Sequence, residues 1–288
     1  MSDKVLLEKD GRIGRIILNR PDVLNAIDDD VPALIAQRVE EANADPEIHV
    51  IILSGAGRAF CAGYDLTYYA SATEGDGRDL TQDMPWDPMK DYAFMHRNTQ
   101  LFMSLWHSHK PVIAKVHGYA AAGGSDIALC CDLIVMADDA EIGYMPARVW
   151  GCPTTAMWTY RLGPEQAKRM LLTGDRINGK EAERIGLVLK SVPVDQLDDE
   201  VERLAERMAT VPTNQLMMQK MVINQAVEAM GLQNTQKLAT LLDGITRHSP
   251  EGINFKMRSE EKGWKETVRE RDAGTFDWTQ NRPINPKS

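Results

Sequence analysis

The chain has 288 residues, 43% hydrophobic and 26% charged, with 33 Lys and Arg against 42 Asp and Glu for a net charge of −9. That balance fits a globular protein with a full-sized core and argues against a nucleic-acid binder, which would need a basic face. It leaves room for a phosphate-bearing ligand, because local Arg and Lys can serve one. Cys61, Cys130, Cys131 and Cys152 form no CxxC and no secreted-domain spacing, so reduced thiols in a cytoplasmic setting are expected. The N-terminus lacks the apolar run of a signal peptide, and no stretch nears the ~18 consecutive apolar residues of a membrane span.

Residues 4–18 alternate apolar and polar about Asp10-Gly11, which predicts a hairpin. Asp28 or Asp29 is set to cap a helix carrying Val31, Leu34, Ile35, Val39 and Ala42 at the 3.6-residue period. A buried strand over residues 50–53 follows, then the turn Ser54-Gly55-Ala56-Gly57. Next comes Ala59-Phe60-Cys61-Ala62-Gly63-Tyr64-Asp65-Leu66, a second glycine turn leading to a helix start capped by Asp65. Residues 67–92 have no period. Their Tyr68, Tyr69, Trp86, Met89 and Tyr92 read either as a mobile surface loop or as a segment packed over a site. A helix over residues 92–106 carries His96, with His107 and His109 beyond it. No HExxH pattern, Cys or carboxylate accompanies them at matching spacing, so no metal is expected. His96 is read as a surface or core histidine ahead of an acid–base group.

A strand over residues 112–116 leads into His117-Gly118-Tyr119-Ala120-Ala121-Ala122-Gly123-Gly124-Ser125-Asp126 and an apolar helix ending near Cys131. Adjacent glycines at a helix start leave N–H groups open, with the positive end of the helix dipole behind them. Such a site can bind an anion, or an oxygen that becomes negative during reaction. The plain alternative is a tight junction with glycines chosen for packing. Further on, residues 133–136 predict a strand and the chain stays extended through Ile142. Pro153 is expected to open a helix that Gly163 ends, with further helices over 165–172 and 180–185. From Asp195 the pattern is helical, over 197–208, 214–230, 232–246 and 252–271. Met217, Met218, Met221 and Met230 read as packing against the core or another subunit.

The stretches 59–66 and 117–131 are joined by Leu18-Asn19-Arg20-Pro21, Asn25-Ala26 and Cys131-Asp132-Leu133-Ile134. Later come Arg161-Leu162-Gly163, Leu172-Thr173-Gly174-Asp175, Ala182 and Gly186-Leu187-Val188. In this order they resemble the enoyl-CoA hydratase/isomerase (crotonase) superfamily over roughly residues 3–275. The resemblance implies an α/β fold with a β-β-α spiral core over residues 1–195 that holds an acyl-CoA site. It implies a helical region over residues 196–288 that builds a homotrimer or homohexamer and helps cover the site. It also implies a thioester oxygen gripped by the amides of Tyr64 and Gly123, with Ala62, Gly63, Asp65, Gly124, Ala147 and Trp150 around the substrate. No cofactor is implied beyond the CoA that the substrate carries. Arg269 and Arg271 fall where relatives place basic groups near CoA phosphates.

Family hydratases flank the double bond with two glutamates, and these positions here are Asp126 and Ala147. Aspartate reaches about 1.5 Å less, and misplacement on that scale can cost roughly 100-fold in rate. Alanine delivers no proton. Dienoyl-CoA isomerases also carry aspartate at the first position, but they keep the second glutamate and add an aspartate near Thr155. The 4-chlorobenzoyl-CoA dehalogenases use a nucleophilic aspartate where this chain has Pro153. Tyr144, Arg148 and Cys152 border the missing glutamate, Ser125 lacks a partnered base, and Cys61 reads as packing. Three functions stay open. They are hydratase or isomerase chemistry resting on Asp126, another crotonase reaction such as C–C bond hydrolysis, and acyl-CoA binding with little catalysis.

Overall fold

The computed structural model describes residues 4–70 and 85–284, so Gly75, Gly77 and Pro286 lie outside the described residues, as does the side chain of Tyr68. Strands β1 (Val5–Asp10) and β2 (Ile13–Leu18) form the expected hairpin, turning at Gly11 with φ 56°. β2 then pairs in parallel with β3 (Val50–Gly55). The sheet continues through β4 (Val112–Val116), β6 (Leu133–Ala137) and β9 (Lys190–Val192), in the order β1-β2-β3-β4-β6-β9. Its central strands are covered on both faces, which explains runs such as Val50-Ile51-Ile52-Leu53, all buried. A smaller sheet holds β5 (Tyr119–Ala121), β7 (Glu141–Gly143) and β8 (Arg176–Asn178). Successive turns visit the large sheet, then the small sheet, then a helix, which is the β-β-α spiral.

The helices are α1 (Val31–Ala44), α2 (Leu66–Tyr69), α3 (Pro88–Phe102), α4 (Ser104–His107), α5 (Gly123–Leu129), α6 (Met157–Thr173) and α7 (Gly179–Arg184). The helical C-terminal region adds α8 (Leu197–Ala209), α9 (Thr213–Ala229), α10 (Leu232–His248), α11 (Pro250–Lys262) and α12 (Trp264–Ala273). Asp28 does serve the start of α1, accepting the amides of Asp30 and Val31.

Three expected boundaries move, each for a local reason. α3 begins at Pro88, a turn earlier than expected, because Asp87 accepts the amides of Met89 and Lys90. Pro153 does not open a helix, since α6 starts only after Ala156 at φ 59°. At Gly163 (φ 72°, ψ 172°) the backbone leaves helical geometry, so α6 is two helices meeting at a break, with the second over the expected residues 165–172. Residues 252–271 divide into α11 and α12 at Gly263, whose φ of 83° no regular helix adopts. On α9 and α10, Met218, Met221, Val222, Ile223, Leu238, Leu241, Leu242 and Ile245 are exposed.

Candidate active site

The backbone around the two glycine turns is held from both sides. Ile27 N donates to Gly63 O at 2.9 Å and Asp65 N to Ile27 O at 2.9 Å. Upstream, Cys61 N donates to Tyr119 O at 2.8 Å and Ala121 N to Cys61 O at 3.0 Å. In the parallel bridge between Ile27 and Tyr64, the Tyr64 N–H points away from Ile27. At the start of α5, Ser125 N and Asp126 N are the first amides to bond back, both to Ala122 O. The N–H groups of Gly123 and Gly124 precede them and lack an intrahelical acceptor.

The same glycines are also packing residues, as the plain alternative for the Gly-Gly pair expects. A Cβ on Gly63 (φ 95°) would lie 2.8 Å from Ala121 O, and one on Gly124 only 2.2 Å from Cys61 O. One on Gly123 would meet Ile27 Cδ1 at 2.9 Å and the Tyr64 ring at 3.0 Å. Ala122, at φ 51° and ψ −123°, holds a conformation unfavourable for any residue but glycine. Gly124→Ala is therefore expected to destabilise the protein by about 1–3 kcal/mol or more, read as a lower urea midpoint at unchanged slope. An unchanged midpoint would mean that the junction has slack.

Beside these turns lies a cavity of about 210 Å³. Ala62, Tyr64, Ala122 and Gly123 line it, as do Tyr144, Met145, Pro146 and Trp150 from one later segment. Leu66, Tyr69, Phe94, Met95, Trp264 and Val268 supply more apolar wall, and Asp243, Arg247 and Arg271 the charge. Gly63 and Gly124 stay behind this surface as spacers. Asp65 caps α2 through Thr67 N and takes Arg20 Nη2 at 3.3 Å. Ala147 is half-buried on the 3-10 turn Met145–Arg148. Asp126, 4% exposed, sits on α5 one turn beyond Gly123, and neither it nor Ala147 is part of the cavity wall.

Other candidates resolve into structural roles. Arg148 turns away, giving Nε to Arg271 O and Nη1 to Thr173 O. Ser125 donates to Ala122 O, and the Cys61 thiol, pushed up to about 12 by burial, donates to Asn25 O. His96 stacks on Tyr92, off the cavity wall. Arg269 is exposed and paired with Glu266, whereas Arg271 is buried at the cavity and paired with Asp272. Of the aromatics in the aperiodic stretch, Tyr69 lines the cavity and Trp86 stacks on His248. Among the described residues no three His, Cys, Asp or Glu side chains gather as a metal-ligand set, and no helix is long and apolar enough to cross a membrane.

The family model for Enoyl-CoA hydratase/isomerase matches residues 8–254. The chain belongs to that family. It is similar to a solved enoyl-CoA hydratase from Mycobacterium smegmatis, 45% identical over 95% of this chain and 94% of that one, with a TM-score of 0.88. A crotonyl-CoA hydratase from Syntrophomonas wolfei is 31% identical over 231 residues, 78% of this chain and 83% of the relative. The mitochondrial enoyl-CoA hydratase of Pongo abelii is 32% identical over 248 residues, 81% of this chain and 77% of the relative.

Within this enoyl-CoA hydratase/isomerase frame, the electrostatics centre on two buried aspartates. Burial pushes the Asp126 carboxyl up to about 8; the Thr155 hydroxyl, donating at 2.6 Å, opposes this, and the charge of Asp243 adds to it. Near neutrality Asp126 therefore holds its proton. Asp243, on α10, accepts Cys152 N at 2.8 Å with one oxygen and Arg247 Nη2 at 3.0 Å with the other. Arg247 reaches on to Asp91 of α3 at 2.7 Å, and Trp86 Nε1 donates to the second Asp91 oxygen at 3.0 Å. Burial raises the Asp243 carboxyl, and the Arg247 guanidinium opposes that rise. Burial also pushes the Tyr144 phenol well up, so it stays a neutral donor at the cavity. Asp243 and Arg247 are the charged cavity residues that sequence reasoning missed, along with apolar wall residues such as Phe94, Met95, Trp264 and Val268. The available signal was a polar stripe (Gln236, Thr240, Asp243, Arg247) on the buried face of α10.

Proposed function

We propose that the chain is an acyl-CoA-processing enzyme of the hydratase/isomerase kind, with no cofactor beyond the CoA of its substrate. The thioester oxygen is held by the amides of Tyr64 and Gly123, and Asp126 moves the proton at the α-carbon. The observation that carries this reading is Asp126 itself, a buried carboxyl that keeps its proton near neutrality, on the short helix that Gly123 opens. Two N–H donors draw charge onto the thioester oxygen, which makes the enolate accessible. Asp126 lies behind the Gly123 wall rather than on it, and once the bound thioester brings the α-carbon within its reach a protonated carboxyl there can give a proton to that carbon or, when ionised, take one back. Ala62, Leu66, Phe94 and Trp150 supply an apolar surface suited to an acyl chain.

The test is hydration of a short trans-2-enoyl-CoA, run beside solvent-deuterium exchange at the α-carbon of a saturated acyl-CoA. Turnover or exchange that depends on Asp126 supports the reading. Ala147 favours a second reading, an acyl-CoA-binding protein, and tight binding with neither turnover nor exchange selects it. The apolar side chains exposed on α9 and α10 support assembly into a homotrimer or homohexamer. Light scattering after size exclusion is expected to give three or six times the 32.2 kDa chain. A monomer would leave that face without its expected occupant.

A further inference from the structure

We propose that Asp243, from the C-terminal helix α10, stands in for the second family glutamate and is the general base that activates water. This assignment rests on the acyl-CoA reading above. Among the described residues Asp243 is the one carboxylate that lines the cavity. Its link to the segment that carries residue 147 runs through the backbone of Cys152. One Asp243 oxygen is held at 2.8 Å by the amide of Cys152, in the same segment as Ala147. That segment also faces the cavity through Tyr144, Met145, Pro146 and Trp150. A carboxylate brought in from α10 therefore docks against the stretch whose own glutamate is missing.

Burial raises both carboxyls, but their partners differ. Arg247, held between Asp243 and Asp91, favours the ionised form of Asp243. Asp126 has a hydroxyl partner, Thr155, and no cation within hydrogen-bond distance among the described residues. Paired titratable groups with diverging environments are the usual basis of an acid–base assignment.

In hydration, Asp243 takes a proton from water as the water oxygen bonds to the β-carbon. The π-electron pair moves toward the thioester oxygen between Tyr64 and Gly123. The enolate then collapses and the α-carbon takes the Asp126 proton. One water has been added, Asp243 is protonated and Asp126 ionised, and proton exchange with solvent restores both.

The experiment uses the full-length assembled protein, with wild type and Asp243→Asn compared in the two assays. The asparagine keeps an oxygen for the Cys152 amide. Hydration is expected to fall about 10²–10⁴-fold, the usual contribution of a general base. Exchange at the α-carbon of a saturated acyl-CoA should stay within about threefold, since it uses Asp126 and the two amides but no attacking water. Hydration within threefold of wild type overturns the assignment. So does a parallel fall in both rates, which marks a structural role. Wild type that exchanges without hydrating overturns Asp243 alone, and wild type that does neither overturns the acyl-CoA chemistry as well. Should Asp243→Asn fail to fold, Asp243→Glu keeps the charge and moves the carboxylate by one methylene. Its hydration should fall about tenfold or more at unchanged exchange, and an equal fall in both again overturns the proposal.

Discussion

Asp126→Asn is expected to lower trans-2-enoyl-CoA hydration and α-carbon exchange together, by about 10²–10⁴-fold, with saturated acyl-CoA affinity held within about threefold. The substitution keeps the shape of the side chain and an oxygen for the Thr155 hydroxyl, but removes the proton that the α-carbon needs. Exchange left at the wild-type rate would take Asp126 out of the mechanism. The same residue ties activity to stability through pH. Its carboxyl titrates at about 8 when folded, against a usual 3.8. The folded chain therefore binds more protons than the unfolded chain between those values, and stability falls as pH rises through that window. Below about pH 4 both states hold the proton and the effect vanishes.

Between those pH values the effect is worth at most roughly 6 kcal/mol, at about 1.4 kcal/mol per pH unit. Asparagine has no such titration. The variant should thus match wild type in urea near pH 4 and become the more stable protein toward pH 8. A wild type that is equally stable at both ends would mean that Asp126 ionises without hindrance. The expected trade is common in active sites, where the group that reacts is held in surroundings that disfavour its charged form.

What the sequence discloses, and what it conceals, follows from the range of the forces involved. The hairpin at Asp10-Gly11, the buried strand over residues 50–53 and the glycine junction before Asp126 are set by local turn chemistry and period, and the structure has each. The departure at Ala147 is likewise visible as a missing functional group. The break at Gly263 is hidden in the sequence because the helical period continues across it, while the glycine itself takes a φ of 83° that ends one helix and starts the next. Asp243 escaped for a related reason. Apolar spacing marks α10 as a scaffold, and a polar residue on its inward face acquires meaning only when Cys152, Arg247 and the cavity surround it. Aligning this chain with its relatives by motif compares Ala147 with glutamate at one position. It has no means of finding a carboxylate supplied by another helix.

Gly123→Pro, the second large effect expected, separates the amide donor from the packing that surrounds it. Proline suits the first position of a helix, because its fixed φ is helical and the N–H it lacks has no intrahelical acceptor. The backbone of α5 can therefore survive the change, and the lost donor is the one that the thioester oxygen would use. The new side chain is the complication, since a Cβ at this position meets Ile27 Cδ1 at 2.9 Å and the Tyr64 ring at 3.0 Å. Gly123→Ala carries the same Cβ and keeps the N–H, so it measures the crowding by itself. Both variants should lose about 1–3 kcal/mol of stability through overpacking. Against alanine, proline should lose a further 10²–10³-fold, roughly, in kcat/KM for hydration, the usual loss when one oxyanion donor is removed. Equal rates in the two variants would assign the glycine to packing alone. The charge that develops on the thioester oxygen would then have to be met by Tyr64 N–H with some partner other than residue 123.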